Sequence, residues 1–85
     1  MPKPMSADGK RNLTGENLRR LRKEYGISQR ELAERLQLTG LDIDKNAIMR
    51  IETNRRYVTD VELRAFSLLF GVSPSELMGM EEIGK

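Results

Sequence analysis

The chain has 85 residues and a formal net charge of +2, and it contains neither cysteine nor histidine. A chain of this length folds as one small domain. Without those two residue types it has no disulfides, no zinc site of the usual kinds and no histidine base, so we expect no catalytic residues, no metal and no cofactor. No apolar run approaches the roughly 20 residues of a membrane span, and a secretory signal is not evident, so we expect a cytoplasmic protein without a membrane partner.

The charge is distributed unevenly along the chain. Residues 1–30 carry eight Lys and Arg against three Asp and Glu, which is +5, whereas residues 31–60 sum to −1 and residues 61–85 to −2. A basic amino-terminal third followed by a mildly acidic remainder is typical of a protein that binds a polyanion on one side. The alternative is that many of these charges only solvate helix faces.

Residues 1–12 contain two prolines, a glycine and scattered charge without apolar periodicity, which predicts a flexible N-terminal arm. Its cations Lys10 and Arg11 either add nonspecific attraction to a polyanion or are simply solvated. We place one helical domain over residues 13–79 and a C-terminal tail over residues 80–85.

Five helix starts share one local pattern: an apolar residue, a capping residue, and a second apolar residue five positions after the first. This is the arrangement of a hydrophobic staple around an N-cap. The five are Leu13-Thr14 with Leu18, Ile27-Ser28 with Leu32, Ile43-Asp44 with Ile48, Val58-Thr59 with Leu63, and Val72-Ser73 with Leu77. Alternating apolar and polar residues are absent, so no strand is expected. The sequence predicts an all-α, compact five-helix bundle.

The helix ends and inward faces are also predicted. Gly26 ends a first helix over about residues 14–25, the second ends near Gln37, the third ends at Thr53-Asn54, and Gly71 ends the fourth. The expected inward residues are Leu18, Leu21 and Tyr25, then Leu32, Ala33 and Leu36, then Ile48 and Ile51, then Leu63, Phe66, Leu69 and Phe70.

The connection between the second and third helices is longer than the usual 3–4 residues of a helix-turn-helix. Three apolar residues are expected to pack this turn down around Gly40: Leu38, Leu41 and Ile43. Asp44 is the preferred cap of the third helix because Ile43 and Ile48 then form its staple. Asp42 is the alternative, and it would lengthen the helix by about half a turn.

Three strings of sequence, SQRELAERL, IMRIE and GVSPSEL, occur in this order between residues 28 and 77. Together they resemble the Cro/cI-type (XRE family) transcriptional regulators over about residues 14–78. The resemblance implies a lambda-repressor-like DNA-binding domain, with the helix-turn-helix at residues 29–52 and double-stranded DNA as the partner. It also implies a prokaryotic or phage regulator of transcription.

The third helix is the expected recognition helix. With its two isoleucines facing inward, its outer face carries Lys45, Asn46, Met49 and Arg50, which we predict to contact bases. Arg50 suits guanine O6/N7, Asn46 suits adenine N6/N7, and Met49 suits a thymine methyl group. Lys45 fits either a base or a phosphate. The alternative for Arg50 and Asn46 is an ordinary exposed polar residue of a helix.

Phosphate contacts are expected from both ends of the motif. Gln29 and Arg30 begin the second helix, where backbone N–H groups favour an anion. The resemblance implies that Asn54, Arg55 and Arg56, which follow the third helix, lie against the sugar-phosphate backbone. A solvated loop with two arginines is the alternative.

The resemblance also implies a structural salt bridge between Arg22 and Glu52, which would fix the first helix to the third without contacting DNA. Removing one partner of such a buried pair costs about 3–5 kcal/mol.

The function predicted is that of a repressor that binds a partly palindromic operator as a homodimer. The expected dimer surface is the region of the fourth and fifth helices and the tail, with Leu77, Met78, Met80 and Ile83, unless Leu77 belongs to the core. The alternative function is a protein-interaction module of the same fold, antitoxin-like or bridging, whose DNA binding is secondary. No small-molecule effector is evident, and an enzyme is the weakest reading because the serines are explained as caps.

Overall fold

Five helices account for most of residues 11–80, which are the residues that the computed structural model describes. They are α1 (Gly15–Glu24), α2 (Gln29–Leu38), α3 (Lys45–Glu52), α4 (Asp60–Phe70) and α5 (Pro74–Leu77). The predicted all-helical, five-helix fold is therefore confirmed, and the described part of the chain contains no strand. Ten of the twelve residues assigned to the arm, and the last five residues of the tail, lie outside the described range.

Side chains cap four of the five helices as the sequence predicts. Ser28, Asp44, Thr59 and Ser73 each accept a hydrogen bond from the backbone N–H three residues later, at 2.7–3.2 Å. For α2 and α4 the side chain of the third helical residue also accepts from the backbone N–H of the cap residue, which completes a capping box. Because each cap acts within one turn, the helix starts were readable from local sequence.

The start of α1 differs from the prediction. Thr14 makes no side-chain capping bond, and Leu13 is 53% exposed, so the expected staple with Leu18 does not form. Asn12 takes the capping role instead: its Oδ1 accepts from the N–H groups of Thr14 at 3.1 Å and Gly15 at 2.6 Å. Asn12 is buried, although the sequence analysis assigned it to the flexible arm.

The ends of α1 and α3 share one hydrogen-bonding pattern. After α3, the N–H of Asn54 donates to the Ile51 carbonyl and that of Arg55 to the Arg50 carbonyl. This is a Schellman motif, which requires a residue with positive φ. Asn54 supplies it here with φ 62°, and the predicted stop Gly26 supplies it after α1 with φ 69°.

The core joins all five helices. Of the predicted inward residues, nine are fully buried: Leu18, Leu21, Leu32, Ala33, Leu36, Ile48, Ile51, Phe66 and Phe70. Leu63 and Leu69 are partly buried and pack against that core. Tyr25 is half exposed, yet its ring lies edge-on to Phe70 at 5.0 Å and its hydroxyl donates to the Phe70 carbonyl. Leu77 is fully buried in this core, which removes it from the expected dimer surface.

Residues 39–44 connect α2 to α3. Asp44 caps α3 with a bond of 2.7 Å to the N–H of Ala47, so the preferred start is correct and the alternative cap, Asp42, is wrong. Ile43 is buried as expected, and Gln37 Nε2 donates to its carbonyl at 2.9 Å. Leu38 was expected to pack the turn down, but it is the last residue of α2 and is 88% exposed.

Within residues 11–80, no helix is both long and apolar enough to cross a membrane.

Candidate nucleic-acid interface

The outer face of α3 carries the four predicted base-contacting residues. Lys45, Asn46 and Arg50 are exposed and Met49 is partly buried, while the inward side of the helix is fixed in the core. At the carboxyl end of α3, the Thr53 hydroxyl donates a hydrogen bond to the Met49 carbonyl at 2.9 Å. The arrangement presents one guanidinium, one amide, one ammonium and one thioether on the same side of a short helix, and the first three of these groups can hydrogen-bond to base edges in a major groove.

The first turn of α2 holds two residues that were assigned to phosphates. Gln29 Nε2 donates to Glu52 Oε1 at 3.1 Å, so this side-chain amide binds the end of α3 in the structure. The exposed Arg30 pairs with Glu34 at 3.2 Å, one turn along the same helix. Such an exposed pair contributes little to stability and exchanges readily for another anion.

The loop after α3 carries the other three predicted phosphate residues, and the structure separates them. Arg55 is exposed. Arg56 is partly buried, and its Nη1 lies 2.9 Å from Oε1 of the buried Glu62 in α4. Asn54 takes the left-handed backbone conformation described above, and its Oδ1 is buried without a hydrogen-bond partner among residues 11–80. Arg56 therefore fixes the loop to α4, while Arg55 points outward from the fixed loop.

The salt bridge expected between Arg22 and Glu52 is present. Arg22 Nε and Nη2 donate to the two carboxylate oxygens of Glu52 at 2.7 and 3.0 Å, and Arg22 Nη1 donates to the Ile27 carbonyl at 2.9 Å. The hydrogen bonds to Glu52 raise the pKa of the Arg22 guanidinium above its usual value, against the opposing effect of burial. With Gln29 as a third donor, the Glu52 carboxylate joins α1, α2 and α3.

Asn12 is the residue that sequence reasoning missed. Besides capping α1, its Nδ2 donates to the carbonyls of Ile51 at 3.1 Å and Arg56 at 2.9 Å. It thus holds the carboxyl end of α3 and the following loop against the start of α1. An asparagine two residues before an expected cap is a local signal for the cap alone. The bonds to Ile51 and Arg56 cross 39 and 44 residues of sequence, which no local pattern reveals.

The backbones of α1 and α3 also meet directly. A Cβ at Gly15 would overlap the carbonyl oxygen of Ile51, so only glycine fits at this point of closest approach. The recognition-helix candidate is thereby held at its carboxyl end by backbone contact, by Asn12 and by the Arg22–Glu52 ion pair. These three contacts fix the direction in which its outer face points.

A protein-family model described as a helix-turn-helix domain matches residues 15–82, a span that includes all five helices. Neither the curated proteins nor the solved structures gave a match.

Proposed function

The chain belongs to the helix-turn-helix domain family, which is of the XRE/Cro-like type, and on that premise we propose that it is a sequence-specific regulator of transcription that binds duplex DNA through α3. The observation that carries the proposal is the outer face of α3, where four side chains suited to base edges lie together on a helix anchored at its carboxyl end. A rigid recognition helix loses little freedom on binding, which favours tight and selective docking.

Base readout is assigned by chemistry. Arg50 donates two parallel hydrogen bonds to a guanine, Asn46 pairs with an adenine edge, and Met49 covers a thymine methyl group. Lys45 stands at the first position of α3, where its long side chain reaches a base or the phosphate beside it. These roles require α3 to enter the major groove with its amino-terminal half leading.

Phosphate binding is assigned to the elements on either side of α3. Arg55 lies exposed on the loop that Asn12 and Arg56 fix in place, and it contributes a charge without base selectivity. At α2, the backbone N–H groups of the first turn bind a phosphate while the side chain of Gln29 keeps its bond to Glu52. Arg30 adds a charge there by exchanging Glu34 for DNA.

We further propose that the protein acts as a homodimer and as a repressor. A single module buries too little surface for tight specific binding, and two-fold related copies read two half-sites. Two exposed apolar residues of α4, Val61 and Leu68, line a cleft between α4 and the 39–41 turn that is available to a second copy. A dimer bound across a promoter blocks polymerase by occupancy, so repression needs no additional surface.

Selection from random duplexes tests this function. The protein is incubated with a randomised duplex pool, and the retained fragments are sequenced after binding at two salt concentrations. We expect one short, partly symmetric sequence to be enriched, with an affinity that falls steeply as salt rises. If no sequence is enriched, the chain is not a sequence-specific regulator, and a protein-interaction module of the same fold becomes the better description.

A further inference from the structure

An exposed basic face on α1 has no role in the interface described so far. Arg19, Arg20 and Lys23 are exposed on it, and they line one surface cleft together with Glu16 and with Glu52 of α3. These residues recur at three- and four-residue spacing, so they form one stripe along the helix. We call Arg19, Arg20 and Lys23 the α1 basic face.

The contacts of α1 show which neighbour this face lies beside. On one flank, Asn17 Nδ2 donates to the Leu77 carbonyl of α5 at 2.9 Å. On the other flank, Gly15 meets the Ile51 carbonyl and Arg22 binds Glu52, so this side of α1 adjoins the carboxyl end of α3. The α1 basic face shares its cleft with Glu52, which places it on the α3 side.

Glu52 also connects this face to the start of α2. Its carboxylate accepts from Gln29, the first residue of α2, at 3.1 Å. The first turn of α2 and the α1 basic face therefore border the same carboxylate. An extended polyanion that binds at the first turn of α2 and runs past the carboxyl end of α3 would therefore lie along the α1 basic face.

Neighbouring carboxylates cancel only part of the charge on this face. Glu24 pairs with Arg20 at 3.1 Å, and Glu52 is taken by Arg22. Glu16 lies at the amino end of the stripe. Arg19 and Lys23 make no ion pair with any residue from 11 to 80, so they keep their positive charge toward solvent.

We infer that the α1 basic face is a third phosphate-binding element, which contacts the DNA strand that passes the start of α2. The inference rests on the proposed function. Arg19 and Lys23 are one helical turn apart, with Cβ atoms about 5–6 Å from each other. Both side chains are long and flexible, so they can reach phosphates of the same strand.

The test compares two variants whose net charge falls by the same two units. Arg19→Ala/Lys23→Ala removes the two unpaired cations of the face. Arg35→Glu is the control, because Arg35 is exposed in the last turn of α2, far from Gln29. Affinity for the selected duplex and for a scrambled duplex is measured over a series of salt concentrations, and thermal unfolding is followed by circular dichroism to confirm that all proteins fold.

We expect Arg19→Ala/Lys23→Ala to weaken binding to both duplexes by the same factor, about tenfold or more at low salt. The slope of log affinity against log salt should fall by about 1–2, since each lost phosphate contact removes about 0.9. Exchange of the two charges, Arg19→Lys/Lys23→Arg, should keep the wild-type slope. The control variant, Arg35→Glu, should keep the slope and should keep the affinity within about twofold.

If the wild-type protein binds its selected duplex and Arg19→Ala/Lys23→Ala behaves as the control does, the inference is overturned and the proposed function stands. The inference is equally overturned if the loss appears on only one of the two duplexes, because a phosphate contact is blind to sequence. If the wild-type protein binds neither duplex, the proposed function fails, and the inference fails with it.

Discussion

Arg22 and Glu52 face each other as a two-pronged ion pair, with bonds of 2.7 and 3.0 Å, and their side chains are only 10% and 1% exposed. A pair this deeply buried is costly to break, because the remaining charge has no water to replace its partner. Its position between α1 and α3 makes it a determinant of how the recognition helix is held.

Glu52→Ala is predicted to destabilise the fold by about 3–5 kcal/mol, measured by urea or thermal unfolding, because Arg22 is left buried without its partner. Arg30→Ala breaks the exposed pair with Glu34 and should change stability by no more than about 1 kcal/mol. The double variant Arg22→Met/Glu52→Met should have a higher free energy of unfolding than Glu52→Met alone, because it leaves no unpaired charge buried. Similar effects from Glu52→Ala and Arg30→Ala would contradict the structural role of the buried pair.

Asn12→Asp separates the two roles of Asn12. Aspartate keeps the acceptor that caps α1 but replaces the Nδ2 donor to the Ile51 and Arg56 carbonyls with a carboxylate. We expect a loss of about 1–3 kcal/mol in unfolding free energy, the cost of leaving buried groups unsatisfied. DNA affinity should fall as well, because the loop that carries Arg55 is released. A stability equal to that of the wild type would mean that Asn12 acts only as a cap.

Gly15→Ala should destabilise the protein although alanine favours helix over glycine by about 1 kcal/mol. The added Cβ would overlap the Ile51 carbonyl and push α1 away from α3. Differential scanning calorimetry should show a lower Tm. DNA affinity should also decrease in the folded variant, because α3 is displaced from its position against α1. An unchanged or higher Tm would show that the two backbones separate without cost.

Arg50→Ala and Arg55→Ala are predicted to have different effects on DNA binding. Arg50→Ala should relax the preference at one base pair and cost about 1–3 kcal/mol there, since it removes a bidentate contact. Arg55→Ala should weaken all sequences alike and lower the salt slope by about one unit. Binding to a panel of single-base variants of the selected duplex measures both. If the two substitutions change specificity equally, the assignment of base and phosphate roles is wrong.

Leu68→Glu is predicted to abolish the homodimer. Leu68 is 77% exposed and lines the cleft beside α4 together with Val61, and a buried, unpaired carboxylate at a two-fold contact is strongly unfavourable. Sedimentation equilibrium should give a monomer for the variant and a dimer for the wild type. Leu13→Glu is the matched control, because Leu13 is also an exposed leucine but lies at the start of α1. A dimer that survives Leu68→Glu and not Leu13→Glu would place the interface elsewhere.

Most of the fold was readable from the sequence because helix starts depend on bonds that span three residues. Ser28, Asp44, Thr59 and Ser73 cap as predicted, and even the unusual length of the turn before α3 was resolved by the staple around Asp44. Leu38 was misjudged because it belongs to the last turn of α2 and is exposed there, not to the connecting turn. Periodicity indicates a face of a helix but does not show whether another part of the chain covers the end of that helix.

Only the tertiary structure showed which polar side chains around the site have partners within the protein. The sequence placed Arg50 and Arg55 on an outer surface. It assigned Gln29 and Arg56 to phosphate contacts in the same way as Arg55. In the folded chain Gln29 binds Glu52, and Arg56 binds the buried Glu62. A side chain that satisfies a buried carboxylate is held by a low-dielectric interaction that local sequence does not encode.

The amino-acid sequence by itself thus determined the α-helical class, the helix starts and the outer face of α3, since these follow from capping and periodicity over a few residues. The helix-turn-helix was an implication of the resemblance to a known family. Only the tertiary structure showed that Asn12 and Gly15 also hold α3, because they reach Ile51 across 39 and 36 residues of chain. Contacts at that separation depend on where the finished helices meet, and they form only once the core has fixed the helices against each other.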